Sequence, residues 1–171
     1  DEAQNVSPTN YLSWTYDTVD PTVELTTETL DPFNLAAAPW VVTATFSEPV
    51  TNFTDKSVEV VKGTVTVQPV GADLKVWTLS IRPTEEGEVT VRIPENKVAD
   101  WAGNLNMASE ETLKRVYDNT PPEATLTSAT TPFNASACPW VVTVEFDEAV
   151  TNFTKDSVLV ENGSWTVEKS D

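Results

Sequence analysis

The chain has no histidine and a single cysteine in 171 residues. Without histidine, zinc and haem sites lose their commonest ligand and nucleophilic triads lose their usual base, so most catalytic templates fall away. The lone thiol, Cys138, cannot close an internal disulfide. Positive charge is scarce too: 10 Lys and Arg face 27 Asp and Glu, a formal charge of −17. A field of that sign repels phosphate backbones and anionic membranes, which argues against nucleic acid as a partner. No apolar run approaches the roughly 20 residues of a membrane-spanning helix, so no membrane insertion is expected in this segment. The residues from Asp1 onward show neither the basic start nor the apolar core of a signal peptide, and read as mature or internal sequence.

What is present suffices for a folded core, with 39% hydrophobic and 9% aromatic residues. Hydrophobicity at that level separates the chain from charged disordered segments. The surplus of carboxylates either keeps the surface soluble or serves hard cations.

Self-similarity fixes the organisation. Pro32-Phe33-Asn34 and Pro39-Trp40-Val41-Val42-Thr43 return as Pro132-Phe133-Asn134 and Pro139-Trp140-Val141-Val142-Thr143, an offset of 100 residues. The offset persists through Phe46/Phe146, Glu48/Glu148, Val50 to Thr54 against Val150 to Thr154, and Gly63/Gly163. Upstream, Tyr16-Asp17 matches Tyr117-Asp118, and Asp1-Glu2-Ala3-Gln4-Asn5 copies the spacing of Asp100-Trp101-Ala102-Gly103-Asn104. One repeat is therefore one module. The expected division is a closing stub of a preceding module at 1–15, a complete module at 16–116, and the first half of a following module at 117–171.

Within the complete copy, Trp40, Val42, Ala44 and Phe46 alternate with Val41, Thr43 and Thr45, the period of a half-buried strand. Comparable runs at Thr22–Thr27, Ser57–Val61, Thr64–Val67, Val76–Ile81, Glu88–Ile93 and Thr112–Tyr117 bring the total to seven. Turn residues separate them at Lys62-Gly63, Gly71-Ala72-Asp73, Glu85-Glu86-Gly87 and Gly103-Asn104. Seven short strands per hundred residues predict an all-β chain of immunoglobulin-like β-sandwich modules in tandem, without the usual disulfide. Trp40, Phe46 and Trp77 are the expected core. At roughly 1.5–3 kcal/mol per buried large side chain, a few of them match the ~2–4 kcal/mol of a disulfide. Cys138, in the place of Ala38 and just ahead of an expected buried Trp140, reads as a small core residue, with an intermolecular disulfide as the lesser alternative.

Three motifs occur in order: Tyr16-Asp17 with Pro21, Phe46-Ser47-Glu48-Pro49-Val50, and Asp100 with Ala102-Gly103-Asn104. On these the chain resembles the bacterial Ig-like tandem repeats of large surface adhesins and extracellular filament proteins. The resemblance implies stalk, adhesion or filament-building roles at the cell surface, with calcium bound at module junctions in several such families. The second copy departs from it, reading Asp147-Glu148-Ala149 for Ser47-Glu48-Pro49.

If successive strands run up and down as a meander, the segments holding Asp17 and Asp20, Glu48, and Asp100 with Asn104 all meet at one pole. Calcium takes about six to eight oxygen ligands, and these residues supply carboxylate and carbonyl oxygens. Asp118 and Glu148 would occupy the same pole of the next copy. The plainer reading is that Asp100 and Asn104 cap a loop and that Glu48 and Asp17 are solvated.

Five Asn-x-Ser/Thr sequons start at Asn5, Asn52, Asn134, Asn152 and Asn162, candidate glycosylation sites wherever a secretory pathway attaches glycans. Phe53, inside one of them, is as readily a core plug. The expected function is a non-catalytic structural or adhesive element of an extracellular array, its partners being neighbouring modules and other copies in a filament. The alternative is a module binding glycans or a surface receptor through Trp14, Trp101 and Trp165. An enzyme ranks last, since no pair of acids has a spacing that argues for a site.

Overall fold

A computed structural model of the chain describes residues 2–4, 6, 10–34, 39–128 and 139–169. Cys138, Asn5 and Asn134 lie outside the described residues. The chain divides into two compact units, 1–119 and 120–171. Repetition puts the same border at 116/117. The first unit keeps the extra residues because the Asp118 amide donates to Phe33 O (2.9 Å) and the Asn119 amide to Glu86 Oε1 (3.0 Å).

The first unit holds seven strands: β1 (Val23–Thr26), β2 (Trp40–Phe46), β3 (Glu59–Val61), β4 (Gly63–Val70), β5 (Val76–Pro83), β6 (Gly87–Arg92) and β7 (Leu113–Tyr117). They form two antiparallel sheets, in the orders β1-β2-β5-β4 and β3-β6-β7. The connectivity departs from a simple meander. The chain changes sheets from β2 to β3, back at β4, and again from β5 to β6, because only then do both sheets present an apolar face to one shared core. Strand directions still alternate, and the ends of β2 and β6 and the start of β1 share a pole.

The sandwich closes over the residues that alternation picks out. Trp40, Val42 and Ala44 are fully buried and Phe46 nearly so; Trp77, Leu79 and Ile81 of β5 and Val89 and Val91 of β6 join them. Aromatic edges order the interior: Phe53 meets Phe46 at 5.1 Å and Trp77 at 5.2 Å between centroids, both near perpendicular. Such T-shaped pairs add about 0.5–1.5 kcal/mol each beyond the burial itself. Phe33 packs on Tyr117 at 5.4 Å and ties the loop before β2 to the last strand. Where a buried indole carries an N–H, it finds an acceptor: Trp40 Nε1 donates to Thr27 Oγ1 (3.0 Å), which in turn donates to Val41 O (2.6 Å).

The second unit contains β8 (Ala124–Thr127) and β9 (Thr143–Phe146), paired antiparallel, and a 3-10 turn at Lys155–Ser157. One expectation fails here. Trp140 is not buried but 53% exposed, and among the described residues 157–167 form no strands. The physical reason is the absence of partners: in the first unit β3 pairs with β6 and β4 with β5, and the second unit has no counterpart of β5 or β6 among its described residues.

Candidate metal centre

The pole is assembled from three loops, each pinned by backbone bonds. After β2, the Ser47 amide donates to Thr22 O (3.0 Å) and the Thr22 amide returns a bond to Ser47 Oγ (3.0 Å). The amide of Thr51 then donates to Ala99 O (2.7 Å), fastening the segment that holds Glu48 to the loop that holds Asp100. The entry segment is tied in by the Met107 amide, which donates to Pro21 O (2.9 Å).

Asp100 is 95% buried in effect, with 5% of its surface exposed, and its carboxylate is an internal acceptor. Oδ1 accepts the amides of Gly103 (2.7 Å) and Asn104 (2.8 Å), and Oδ2 accepts Asn104 Nδ2 (2.8 Å). Gly103 sits at φ +96°, a conformation that would strain any side chain and that the turn around the carboxylate requires. Burial pushes the Asp100 carboxyl up, but the Asn104 side chain and the amides of Asn104, Gly103 and Ala102 outweigh it and leave the pKa lowered.

Around this fixed group the structure gathers the others. One carboxylate oxygen each from Asp17, Glu48 and Asp100 lie within 4.8 Å of one another. Glu48, half-buried, has its pKa raised by desolvation first, then by the charges of Asp17, Asp100 and Asp20, with Lys75 opposing. Lys75 is held nearby by a bond from its Nζ to Ser47 O (3.1 Å). The oxygens open on a cleft of about 360 Å³ lined by Thr15, Asp17, Glu48, Pro49, Asp100, Trp101 and Ala102. Three carboxylates this close favour either a proton or a cation among them.

The remaining candidates are placed as follows. Asp20 lies near enough to act on Glu48 through its charge. Asn104, counted as a ligand from the sequence, meets the cluster through its NH₂ group, which also donates to Asp17 O (3.2 Å); it braces the site. Asp118 belongs to the first unit and Glu148 to the second, and the structure describes each only within its own unit. In the second unit, Asp147 takes the role of Ser47: its amide donates to Glu123 O (3.2 Å) and its Oδ1 accepts the Glu123 amide (2.8 Å).

Sequence reasoning missed Asn106, the residue that shapes the loop carrying Asp100. It is 2% exposed; Oδ1 accepts the amides of Lys97 (2.8 Å) and Val98 (2.9 Å), and Nδ2 donates to Pro94 O (2.9 Å) and Met107 O (2.7 Å). A second asparagine two positions after Asn104 was the available signal. Of the sequons, Asn52, Asn152 and Asn162 are exposed and adopt positive φ (60°, 64° and 59°). Phe53, by contrast, is 4% exposed and fills the core. Trp101 (75% exposed) and Trp14 (83%) stay at the surface, while Trp165 is half-buried with Lys155 over its ring.

Two antiparallel sheets of four and three strands around one core, with loops gathered at the poles, define an immunoglobulin-like sandwich. Residues 17–117 match the family described as bacterial Ig-like domain, and the chain belongs to that family. Comparison with curated proteins and with solved structures gives no match. Modules of this family are in general non-enzymatic and typical of surface proteins, which makes a structural or adhesive extracellular module the class of function they suggest. No helix among the described residues is long and apolar enough to cross a membrane.

Proposed function

We propose that the chain is a non-catalytic spacer or adhesive segment of an extracellular array, in which calcium at the acidic pole stiffens the joint with the module before it. The observation that supports this most is the convergence of Asp17, Glu48 and Asp100 to within 4.8 Å, from three loops far apart in sequence. Asp17 is the second residue after the 1–15 segment that repetition assigns to the preceding module, so an ion there would join the entry strand to the body of this one. The same arrangement is expected around Asp118 and Glu148 in the next copy.

Calcium suits the site because it accepts many oxygens in irregular geometry, and the cleft leaves room for waters to complete the shell. Extracellular modules hold the ion with Kd of about 10⁻⁴–10⁻³ M, so millimolar calcium adds on the order of 1 kcal/mol; its main effect is to restrict a hinge. Neighbouring modules of the same protein, and other copies within a filament, are the partners this reading requires. The test compares melting temperature and scattering-derived length of the chain in calcium and in chelator. Equal values in both would remove calcium from the proposal.

A second reading has one observation in its favour: Trp101, largely exposed, lines the same cleft as the three acids. An indole beside polar oxygens is a surface on which a sugar ring can stack. Glycan binding lost in Trp101→Ala would promote it.

A further inference from the structure

The two outer faces of the sandwich differ in kind. On the three-stranded sheet, cross-strand ion pairs join Arg92 to Glu59 (2.6 Å) and Lys114 to Glu88 (3.0 Å), so long charged side chains cover the strands. On the four-stranded sheet, alternation turns short uncharged side chains outward. One row, Thr26↔Thr43↔Thr78↔Gln68, crosses all four strands, and Val41↔Ser80↔Thr66 lies beside it. The charges at the outward positions of these strands are Glu24 and Arg82, which leaves the face neutral on a chain of formal charge −17. The second unit keeps the pattern in its own hairpin: Thr127↔Thr143 repeats Thr26↔Thr43, and Thr125↔Glu145 repeats Glu24↔Thr45 with the acid moved to the partner strand.

Such a face is inexpensive to cover. β-Branched side chains are stiff at χ1, so ordering Thr and Val at a contact loses less entropy than ordering the Lys, Arg and Glu of the opposite face. The hydroxyls donate or accept as the facing surface requires. A contact between two copies through the acidic pole would press carboxylates together, and a contact through this face does not.

The two charges select the partner. Glu24 stands on β1 in the row of Thr45, and Arg82 stands on β5 two residues beyond Ser80, so the midpoint between them falls on β2 between Val41 and Thr43. A two-fold axis crossing the Glu24–Arg82 line at right angles there lays Glu24 of each copy over Arg82 of the other. That is the self-complementarity an isologous contact requires.

We propose that the outer face of the four-stranded sheet docks a second copy of this chain, face to face about that axis. Four strands about 4.8 Å apart, each roughly seven residues long at about 3.4 Å per residue, span some ~450 Å² per copy. Two copies then bury on the order of 1,000 Å², the low end for a specific contact, so the association is weak and reversible. In an array, modules on one polypeptide add such contacts at high effective concentration. That use rests on the array reading of the preceding section; the contact itself involves no ion.

The test is sedimentation of the 171-residue chain in chelator, from micromolar to millimolar concentration. Salt at about 0.15 M screens the repulsion between the acidic bodies beyond about 8 Å. A reversible dimer is expected. Thr43→Glu, which sets like charges beside the axis, weakens it by about 10-fold or more, whereas Thr90→Glu on the opposite sheet leaves it unchanged. Glu24→Arg and Arg82→Glu each weaken the dimer alone, and an equimolar mixture of the two variants restores it, because both pairs of the mixed dimer join opposite charges. If Thr43→Glu lowers the melting temperature, the mixing experiment decides. A chain that stays monomeric at millimolar concentration overturns the proposal, as does a dimer indifferent to mixing or weakened equally by Thr43→Glu and Thr90→Glu. A dimer that forms only when calcium replaces the chelator places the contact at the acidic pole and also overturns it. A monomer in chelator leaves the calcium reading standing, since the ion is already absent.

Discussion

Asn104 Nδ2 donates to Asp100 Oδ2 at 2.8 Å, and through this bond a surface turn controls a buried charge. Asp100 has a lowered pKa, so it gives stability that is present above the ordinary Asp value of about 3.9 and is lost as pH falls through its lower folded value. Asn104→Ala removes one of the bonds that favour the anion. The acid-unfolding midpoint of this variant, followed by tryptophan fluorescence, is expected at higher pH than that of the parent chain.

Glu48 has the opposite sign. Its raised pKa means that the stabilising contribution is present below the ordinary Glu value of about 4.3 and is lost as pH rises through the folded value. At neutral pH, without a cation, three carboxylates repel one another. Glu48→Gln is therefore expected to raise the melting temperature in chelator and to shrink the gain on adding calcium. A lower melting temperature in chelator would contradict this assignment of the charges.

Asn106→Ala would leave two amides and two carbonyls of the 94–107 loop without their partner. Buried groups left unpaired cost roughly 1–3 kcal/mol each where water cannot reach them, so a loss of about 2–4 kcal/mol is expected in urea unfolding. Calcium affinity, if measured on the folded fraction, should fall with it, because the same loop presents Asp100.

Phe53 and Phe153 occupy matching positions with different surroundings. Phe53→Ala opens the centre of the first core and is expected to cost about 3–5 kcal/mol. Phe153→Ala in the same chain should cost well under that, since Phe153 is only half-buried. Urea unfolding of the two variants provides the comparison.

The sequons separate by their neighbours. Asn162 is exposed and followed by Gly163 and Ser164, whereas Asn52 precedes the buried Phe53. In a eukaryotic secretory host, glycan is expected on Asn162 in preference to Asn52, to be read by intact mass before and after glycosidase.

Much of the fold is legible in the chain because strands announce themselves by a two-residue period. All seven strands of the first unit fall on runs such as Trp40–Phe46 and Val76–Ile81, displaced at their ends by up to three residues, as where β4 runs on to Val70. The pole was legible for a related reason: strand direction alternates, so the segments holding Asp17, Glu48 and Asp100 could be assigned to one end without knowing the sheet order. Asn106 was not, because its role depends on four backbone groups that come together only when the 94–107 loop is closed. Asn104 was legible as a member of the site but not as a donor, since an amide has both an oxygen and an NH₂ group and only its neighbours select between them.

The sequence by itself determined the module length, the strands, the inward-facing residues and the local bonds that the two copies share, because each depends on residues close along the chain. Tertiary structure decided whether that local order becomes a core. Trp40 and Trp140 have the same neighbours and the same type of hydrogen bond, yet one is buried and the other exposed. The difference is β5 and β6, which lie tens of residues away, and burial is a property of what covers a side chain rather than of the side chain.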